Sequence, residues 1–146
     1  MFSSAALLPS LEPATATGAS PQREAVVLLV EDEDSLAELL KHLLARINVR
    51  VLHAADGAQA LQLLQTHRAL ISLAFVDCHL PDMMGADLCR ELRAAVPRLP
   101  LLLTSGRDQR AVQTMYAADG PCAFLPKPYM PADVMRHVTA LMSAAG

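Results

Sequence analysis

The 146-residue sequence predicts an α/β fold in which helices cover both faces of a parallel sheet. Short apolar runs, such as residues 26–30, are typical of strands that are buried on both faces. Between these runs, leucines recur every three or four residues, which indicates one apolar face of a helix. Because the two kinds of segment alternate, right-handed crossovers would set the strands parallel and form a doubly wound sheet.

Five strand-helix units follow one another from residue 25. The predicted strands cover residues 26–30, 49–53, 73–76, 99–103 and 122–125. The predicted helices cover residues 36–47, 56–67, 86–95, 107–118 and 131–142. Asp56 is expected to cap the second helix, and Pro97 follows the end of the third.

Composition separates residues 1–24 from the rest of the chain. This stretch contains Pro9, Pro13 and Pro21 among Ser, Thr and Ala, without periodic apolar positions. We expect a flexible tail over residues 1–24, followed by one domain over residues 25–146. A hydrophobic fraction of 53% provides enough apolar material for the core of that domain.

Charge and cysteine content exclude several classes of function. The net charge of −3 leaves no basic excess for binding nucleic acid directly. No apolar run approaches the roughly 18 residues that a membrane span needs. Cys78, Cys89 and Cys122 show no CxxC pairing, so we interpret them as packing residues. We expect a cytoplasmic protein that makes no membrane contact.

Polar side chains cluster where the predicted strands end. Glu31 and Asp32 follow the first strand, Asp77 the third, Thr104 the fourth and Lys127 the fifth. Open parallel sheets place their ligand sites at this edge, and carboxylate oxygens suit a hard cation such as Mg²⁺. Each residue alone could be a helix cap, a turn residue or a solvated charge. Their joint placement favours a functional site.

The chain resembles the receiver domain of bacterial two-component response regulators across roughly residues 25–144. Four stretches carry the resemblance: Leu29-Val30-Glu31-Asp32-Glu33, Val76-Asp77-Cys78-His79-Leu80-Pro81-Asp82-Met83-Met84-Gly85, Leu103-Thr104-Ser105-Gly106 and Phe124-Leu125-Pro126-Lys127-Pro128. The resemblance implies a flavodoxin-like five-stranded sheet in the order 2-1-3-4-5, with five helices.

The resemblance also implies that Asp77 accepts a phosphoryl group from a sensor histidine kinase or a histidine phosphotransfer protein. Asp32, Asp77 and the backbone carbonyl of His79 would hold Mg²⁺, and Glu31 would act mainly through metal-bound water. Lys127 would pair with a phosphoryl oxygen. The Lys127-Pro128 bond is a candidate cis peptide. The only reactions expected of the chain itself are self-phosphorylation and self-dephosphorylation, so we do not expect a conventional enzyme.

The implied switch involves Thr104 and Phe124. The Thr104 hydroxyl would donate to the phosphoryl oxygen, and Phe124 would turn into the space that the moving loop vacates. The face formed by the fourth helix, fifth strand and fifth helix would then bind a downstream effector or a second copy of the chain. His79 and Gly106 would border the path of an attacking water, so we expect the His79 side chain to tune the phosphoryl lifetime.

Three functions remain open on the sequence alone. The leading one is a stand-alone, chemotaxis-type receiver, because no output domain is expected in the four residues after the last helix. The second is a receiver fold that binds partners without phosphate. The third is a phosphotransferring hydrolase with an aspartate nucleophile. Such hydrolases place a second aspartate two positions after the first, where this chain has His79, and the hydrolase therefore ranks last.

Overall fold

The computed structural model describes residues 24–106 and 119–145. Five parallel strands form one sheet in the order β2-β1-β3-β4-β5. They are β1 (Ala25–Val30), β2 (Val49–Ala54), β3 (Ile71–Asp77), β4 (Leu101–Ser105) and β5 (Cys122–Pro126). The helices in these residues are α1 (Asp34–Ala45), α2 (Gly57–His67), α3 (Gly85–Ala95) and α4 (Pro131–Ala145).

This architecture confirms the flavodoxin-like, doubly wound fold and its strand order. The predicted helix over residues 107–118 and residues 1–23 of the predicted tail lie outside the described residues. The helix labels therefore number only the described helices. None of these helices is long and apolar enough to cross a membrane.

Alternate side chains of β1, which lies between β2 and β3, enter two separate cores. Val26, Leu28 and Val30 pack on the face that α2 and α3 cover, while Val27 and Leu29 pack on the face that α1 and α4 cover. All five are buried, as expected for a strand covered on both faces. Helices thus cover both faces of the sheet, and the carboxyl ends of its strands lie at one edge of the two cores.

The position of β4 differs from the prediction in a way that matters for the site. The strand begins two residues later than expected, after Pro100, which has no N–H to donate to a sheet ladder. It continues through Thr104 and Ser105, which were predicted to lie beyond its end. In the parallel ladder Thr104 pairs with Asp77 on one side and Leu125 on the other. The Thr104 side chain is therefore a buried part of the sheet.

Two local predictions are confirmed. The Asp56 carboxylate caps α2 by accepting a 2.8 Å hydrogen bond from the Gln59 N–H. The Lys127-Pro128 peptide bond is cis.

Candidate functional site

The carboxyl edge of the sheet brings together four of the predicted site residues. Asp77 ends β3, Thr104 lies beside it on β4, Glu31 directly follows β1 and Lys127 directly follows β5. The Lys127 ammonium Nζ lies 2.9 Å from Asp77 Oδ2 and 3.5 Å from Glu31 Oε1. The Lys127 side chain is 25% exposed, whereas those of Asp77 and Glu31 are 7% and 2% exposed. The ion pairs are therefore largely shielded from water.

Burial and charge shift the pKa values of two of these groups. Burial raises the pKa of Glu31 above its ordinary value; the Glu33 N–H and the Lys127 charge oppose that rise, and the Asp77 charge adds to it. Burial by itself would lower the pKa of Lys127. The hydrogen bond to Asp77 and the charges of Glu31 and Asp77 outweigh it, so the pKa of Lys127 is raised. The lysine is thus held in its charged form by the carboxylates.

Three carboxylates at this edge could hold a cation. One oxygen atom from each of Glu31, Asp32 and Asp77 can be chosen so that all three lie within 4.8 Å of one another. Glu31 and Asp77 are buried, and Asp32 is exposed at the mouth of the group. These hard oxygen donors fit a small divalent cation such as Mg²⁺, which commonly binds to one or two protein carboxylates and keeps several waters.

The Thr104 hydroxyl is a second feature that suits a ligand. Thr104 is 1% exposed, and within the described residues its Oγ1 atom has no hydrogen-bond partner. A buried hydroxyl without a partner is costly, because it has lost water and gained nothing in return. Its place beside Asp77 in the ladder puts this unmet hydrogen-bonding capacity next to the carboxylates.

A surface pocket of about 290 Å³ gives access to Asp77 and is lined by Asp77, His79, Gly106 and Lys127. The His79 N–H donates to Asp77 Oδ1 over 2.9 Å, and its ring Nδ1 lies 3.3 Å from the buried hydroxyl of Ser105. A methyl group added at Gly106 would meet no atom of the described residues within 4 Å. Among the described residues, the pocket therefore has the His79 imidazole on one side and no side chain at Gly106.

Phe124, predicted to move with Thr104 in the switch, packs against the hydrophobic core. It pairs with Leu103 in the ladder and is half-buried against the core that α2 and α3 cover. Its part in a switch stays a prediction.

Sequence reasoning missed two residues at this edge. The Tyr129 ring lies 6.3 Å from that of Phe75, and its buried hydroxyl has no partner within the described chain. Burial and the charges of Glu31 and Asp77 raise the pKa of Tyr129. His53 is half-buried, and its Nε2 lies 2.7 Å from the Glu31 backbone oxygen. Neither belongs to the set of polar residues directly after a predicted strand, on which the prediction relied.

The fold and the site together define an open α/β protein whose carboxyl edge can hold a hard cation and, beside it, an anionic group. Comparison with known families makes the assignment specific. Residues 27–139 match the response regulator receiver domain, so the chain belongs to that family.

Known relatives agree with this assignment. The chain is 31% identical over 120 residues to the sensory transduction protein RegX3 of Mycobacterium tuberculosis, covering 82% of this chain and 52% of that protein. It is 29% identical over 116 residues to the alkaline phosphatase synthesis transcriptional regulatory protein PhoP of Bacillus subtilis, covering 80% and 48%. The chain thus spans about half the length of these curated relatives.

Solved structures give the same fold. A putative response regulator from Chloroflexus aurantiacus superposes with a TM-score of 0.71 at 28% identity, covering 83% of this chain and 99% of that one. The signal receiver domain of an HD domain-containing protein from Pseudomonas fluorescens reaches a TM-score of 0.76 at 23% identity, covering 89% and 95%. The second likeness supports the fold alone.

Proposed function

We propose that this receiver domain is a phosphorylation-controlled signalling switch in which Asp77 is the phosphoacceptor. One observation carries the proposal: a buried Asp77 carboxylate lies between the Lys127 ammonium, 2.9 Å away, and the strand that bears Thr104, whose hydroxyl has no hydrogen-bond partner in the part of the chain that the structure describes. A cation and a free hydrogen-bond donor around one reactive carboxylate suit an incoming phosphoryl group.

The chemical step is transfer from a phosphohistidine. An Asp77 carboxylate oxygen forms the new P–O bond while the P–N bond to the donor imidazole breaks, and the departing nitrogen keeps the bonding electrons. Lys127 pairs with a phosphoryl oxygen as a compact point charge, and the Thr104 hydroxyl donates to another. These contacts stabilise the charge that the transfer brings into the pocket.

The carboxylates of Asp32 and Asp77 and the backbone carbonyl of His79 would hold Mg²⁺, with Glu31 acting through a bound water. When bound, the cation neutralises charge on the phosphoryl oxygens. The buried Glu31 and Asp77 already concentrate negative charge at this point, which supports the assignment.

The phosphoryl donor is proposed to be a sensor histidine kinase or a histidine phosphotransfer protein. The output is proposed to follow from Thr104 drawing the chain after β4 inward and from Phe124 moving. Together these movements would change the face formed by β5, α4 and the chain over 107–118. That face would bind an effector in the cytoplasm or a second copy of the chain.

The His79 imidazole is proposed to tune how long the phosphoryl group survives. It lines the pocket beside Asp77 and is held by the contact between Nδ1 and the Ser105 hydroxyl. We expect the half-life of the phosphorylated protein to change several-fold in His79→Ala, with little change in thermal stability. An unaltered decay curve would remove His79 from the mechanism.

The central test is incubation of the full chain with Mg²⁺ and acetyl phosphate, followed by intact-mass measurement. We expect a base-labile mass gain of one phosphoryl group, absent from Asp77→Asn. Asp87→Asn, the same change on the exposed face of α3, is the matched control and should retain the adduct. No adduct with acetyl phosphate or with kinases would favour a phosphate-independent binding module, and steady turnover of phosphoesters would favour a hydrolase.

A further inference from the structure

The loop between β3 and α3 is attached to the start of α2 by a side chain. Asp82, in this loop, accepts hydrogen bonds from the backbone N–H groups of Gly57 and Ala58, at 2.8 and 3.0 Å. These two N–H groups lie in the first turn of α2, where helical backbone donors lack partners within the helix. They also lower the pKa of Asp82, because they favour the charged carboxylate.

A second contact joins the same two elements. Gly57, the buried first residue of α2, lies directly beneath the Met83 side chain, and a methyl group added there would overlap the Met83 thioether. Asp82 and Met83 are neighbours in the chain. The tip of the loop is therefore held on α2 by the hydrogen bonds of Asp82 and by the packing of Met83.

The base of the loop is closed by its own backbone. The Gly85 N–H donates to the Cys78 carbonyl over 2.9 Å, and His79 and Met84 form an antiparallel bridge. The His79 N–H also donates to Asp77 Oδ1. A movement of the tip would therefore be passed directly to His79 and to the Asp77 carboxylate.

We propose that Asp82 is a positioning residue, whose bonds to α2 hold the loop so that the His79 carbonyl and the Asp77 carboxylate face one cation. The inference rests on the proposed function, since it takes that cation to be Mg²⁺ at Asp77. Asp82 itself lies at the loop tip and would touch neither the metal nor the phosphoryl group.

The structure supplies a matched control. Asp56 caps the same helix from the local chain, through its 2.8 Å bond with the Gln59 N–H, and makes no side-chain bond to the loop. Asp56→Ala and Asp82→Ala therefore both remove a cap from α2, but only the second detaches the loop. A role limited to stabilising α2 predicts the same result for both variants.

The experiment is a Mg²⁺ titration of the full chain, followed through backbone amide signals by NMR. We expect Asp82→Ala to raise the Kd for Mg²⁺ by roughly three- to tenfold, the range implied by losing one capping interaction. Asp82→Asn, which keeps one acceptor oxygen, should recover part of the loss. Asp56→Ala should stay within about twofold of the unaltered protein.

Amide hydrogen exchange without Mg²⁺ gives a readout that does not depend on metal. Exchange at His79 and Gly85 should be faster in Asp82→Ala and unchanged in Asp56→Ala. Equal Mg²⁺ affinities in Asp82→Ala and the unaltered protein, or equal losses in the two alanine variants, would overturn the inference and leave the proposed function standing. If the unaltered chain binds no Mg²⁺ near Asp77, the proposed function fails and this inference fails with it.

Discussion

The carboxyl ends and the amino ends of the strands, called here the carboxyl edge and the amino edge, each hold a positively charged side chain that is at least partly buried. The hydrogen-bond partners of these two side chains differ. At the carboxyl edge, Lys127 faces the carboxylates of Asp77 and Glu31. At the amino edge, the buried Arg93 of α3 donates to the backbone carbonyls of Leu99, at 3.0 Å, and Pro121, at 2.8 Å. Carboxylates can exchange one cation for another, whereas backbone carbonyls fixed by the sheet need a permanent donor. Arg93 therefore stabilises the fold, whereas Lys127 is part of a site where a cation can be exchanged.

One glycine at each edge shows the same contrast. Gly120, at the amino edge, has a φ of 153°, and a side chain there would overlap the Arg98 backbone and crowd the Arg93 guanidinium. At Gly106, beyond the carboxyl ends of the strands, a side chain would meet no atom of residues 24–106 or 119–145 within 4 Å. The amino edge is closed by packing and the carboxyl edge is left accessible.

The largest expected effect is a loss of stability on removal of Arg93 at the amino edge. Arg93→Ala leaves the buried Leu99 carbonyl without its side-chain donor. It also takes one of two donors from the Pro121 carbonyl, which keeps the Leu101 N–H at 3.0 Å. The free energy of unfolding should therefore fall by roughly 2–4 kcal/mol. Urea denaturation measures this loss. Arg90→Ala is the control, since Arg90 is an exposed partner of Asp87 on the same helix and its loss should cost less than about 1 kcal/mol. Similar losses in both variants would contradict a structural role for Arg93.

The next effect concerns the exchange of cations at the carboxyl edge. Lys127→Met removes the charge that competes with a divalent cation for Asp77, so Mg²⁺ should bind roughly five- to tenfold more tightly. Lys41→Met, a change of the other lysine of the chain on the exposed side of α1, should leave the Kd unchanged. Calorimetric titration with Mg²⁺ measures the Kd of each variant and of the unaltered protein. Weaker binding in Lys127→Met would mean that Lys127 supports the metal site.

A smaller effect is expected in alkaline solution. Because the folded-state pKa of Lys127 is raised, its stabilising contribution is complete below the unfolded-state pKa of about 10.4 and is lost as the pH rises through the folded value. The difference in unfolding free energy between the unaltered protein and Lys127→Met should therefore narrow above about pH 10.4. Urea denaturation of both proteins on either side of this pH measures the difference in unfolding free energy. Tyrosines and cysteines titrate in both proteins, so their contributions cancel in this difference. A constant difference would contradict the prediction.

The smallest effect is at Thr104. Since the buried hydroxyl has no partner among residues 24–106 and 119–145, Thr104→Val should leave the free energy of unfolding unchanged or raise it by up to about 1 kcal/mol. The same variant should show a smaller shift of its amide NMR signals on phosphorylation. A stability loss of more than about 1 kcal/mol would show that the hydroxyl already has a partner in the folded protein.

The sheet could be predicted from sequence because its signals are local. Five apolar runs identify the strands. The capping aspartate of α2, Asp56, lies only three residues before Gln59, whose N–H donates to it. The end of β4 could not be placed, since Thr104 and Ser105 are polar residues that ordinarily follow a strand. Only their pairing with Asp77, Leu125 and Pro126 in three dimensions keeps them in it.

The site was predictable where it depends on residues that follow the strands and was missed where it depends on side-chain contacts between positions far apart in the sequence. Glu31, Asp77 and Lys127 converge because the parallel strands end at one edge. The contacts of His53 and Asp82 join positions separated by 22 and 25 residues, and no periodic pattern encodes them.

The most direct test locates the phosphoryl group on the chain. Borohydride reduction of the phosphorylated protein converts a phosphoaspartate to homoserine and releases phosphate, and peptide mass spectrometry then identifies the residue. Our account predicts homoserine at position 77 alone. Homoserine at Asp32 or at another carboxylate, or at no position after incubation with acetyl phosphate and Mg²⁺, would contradict it.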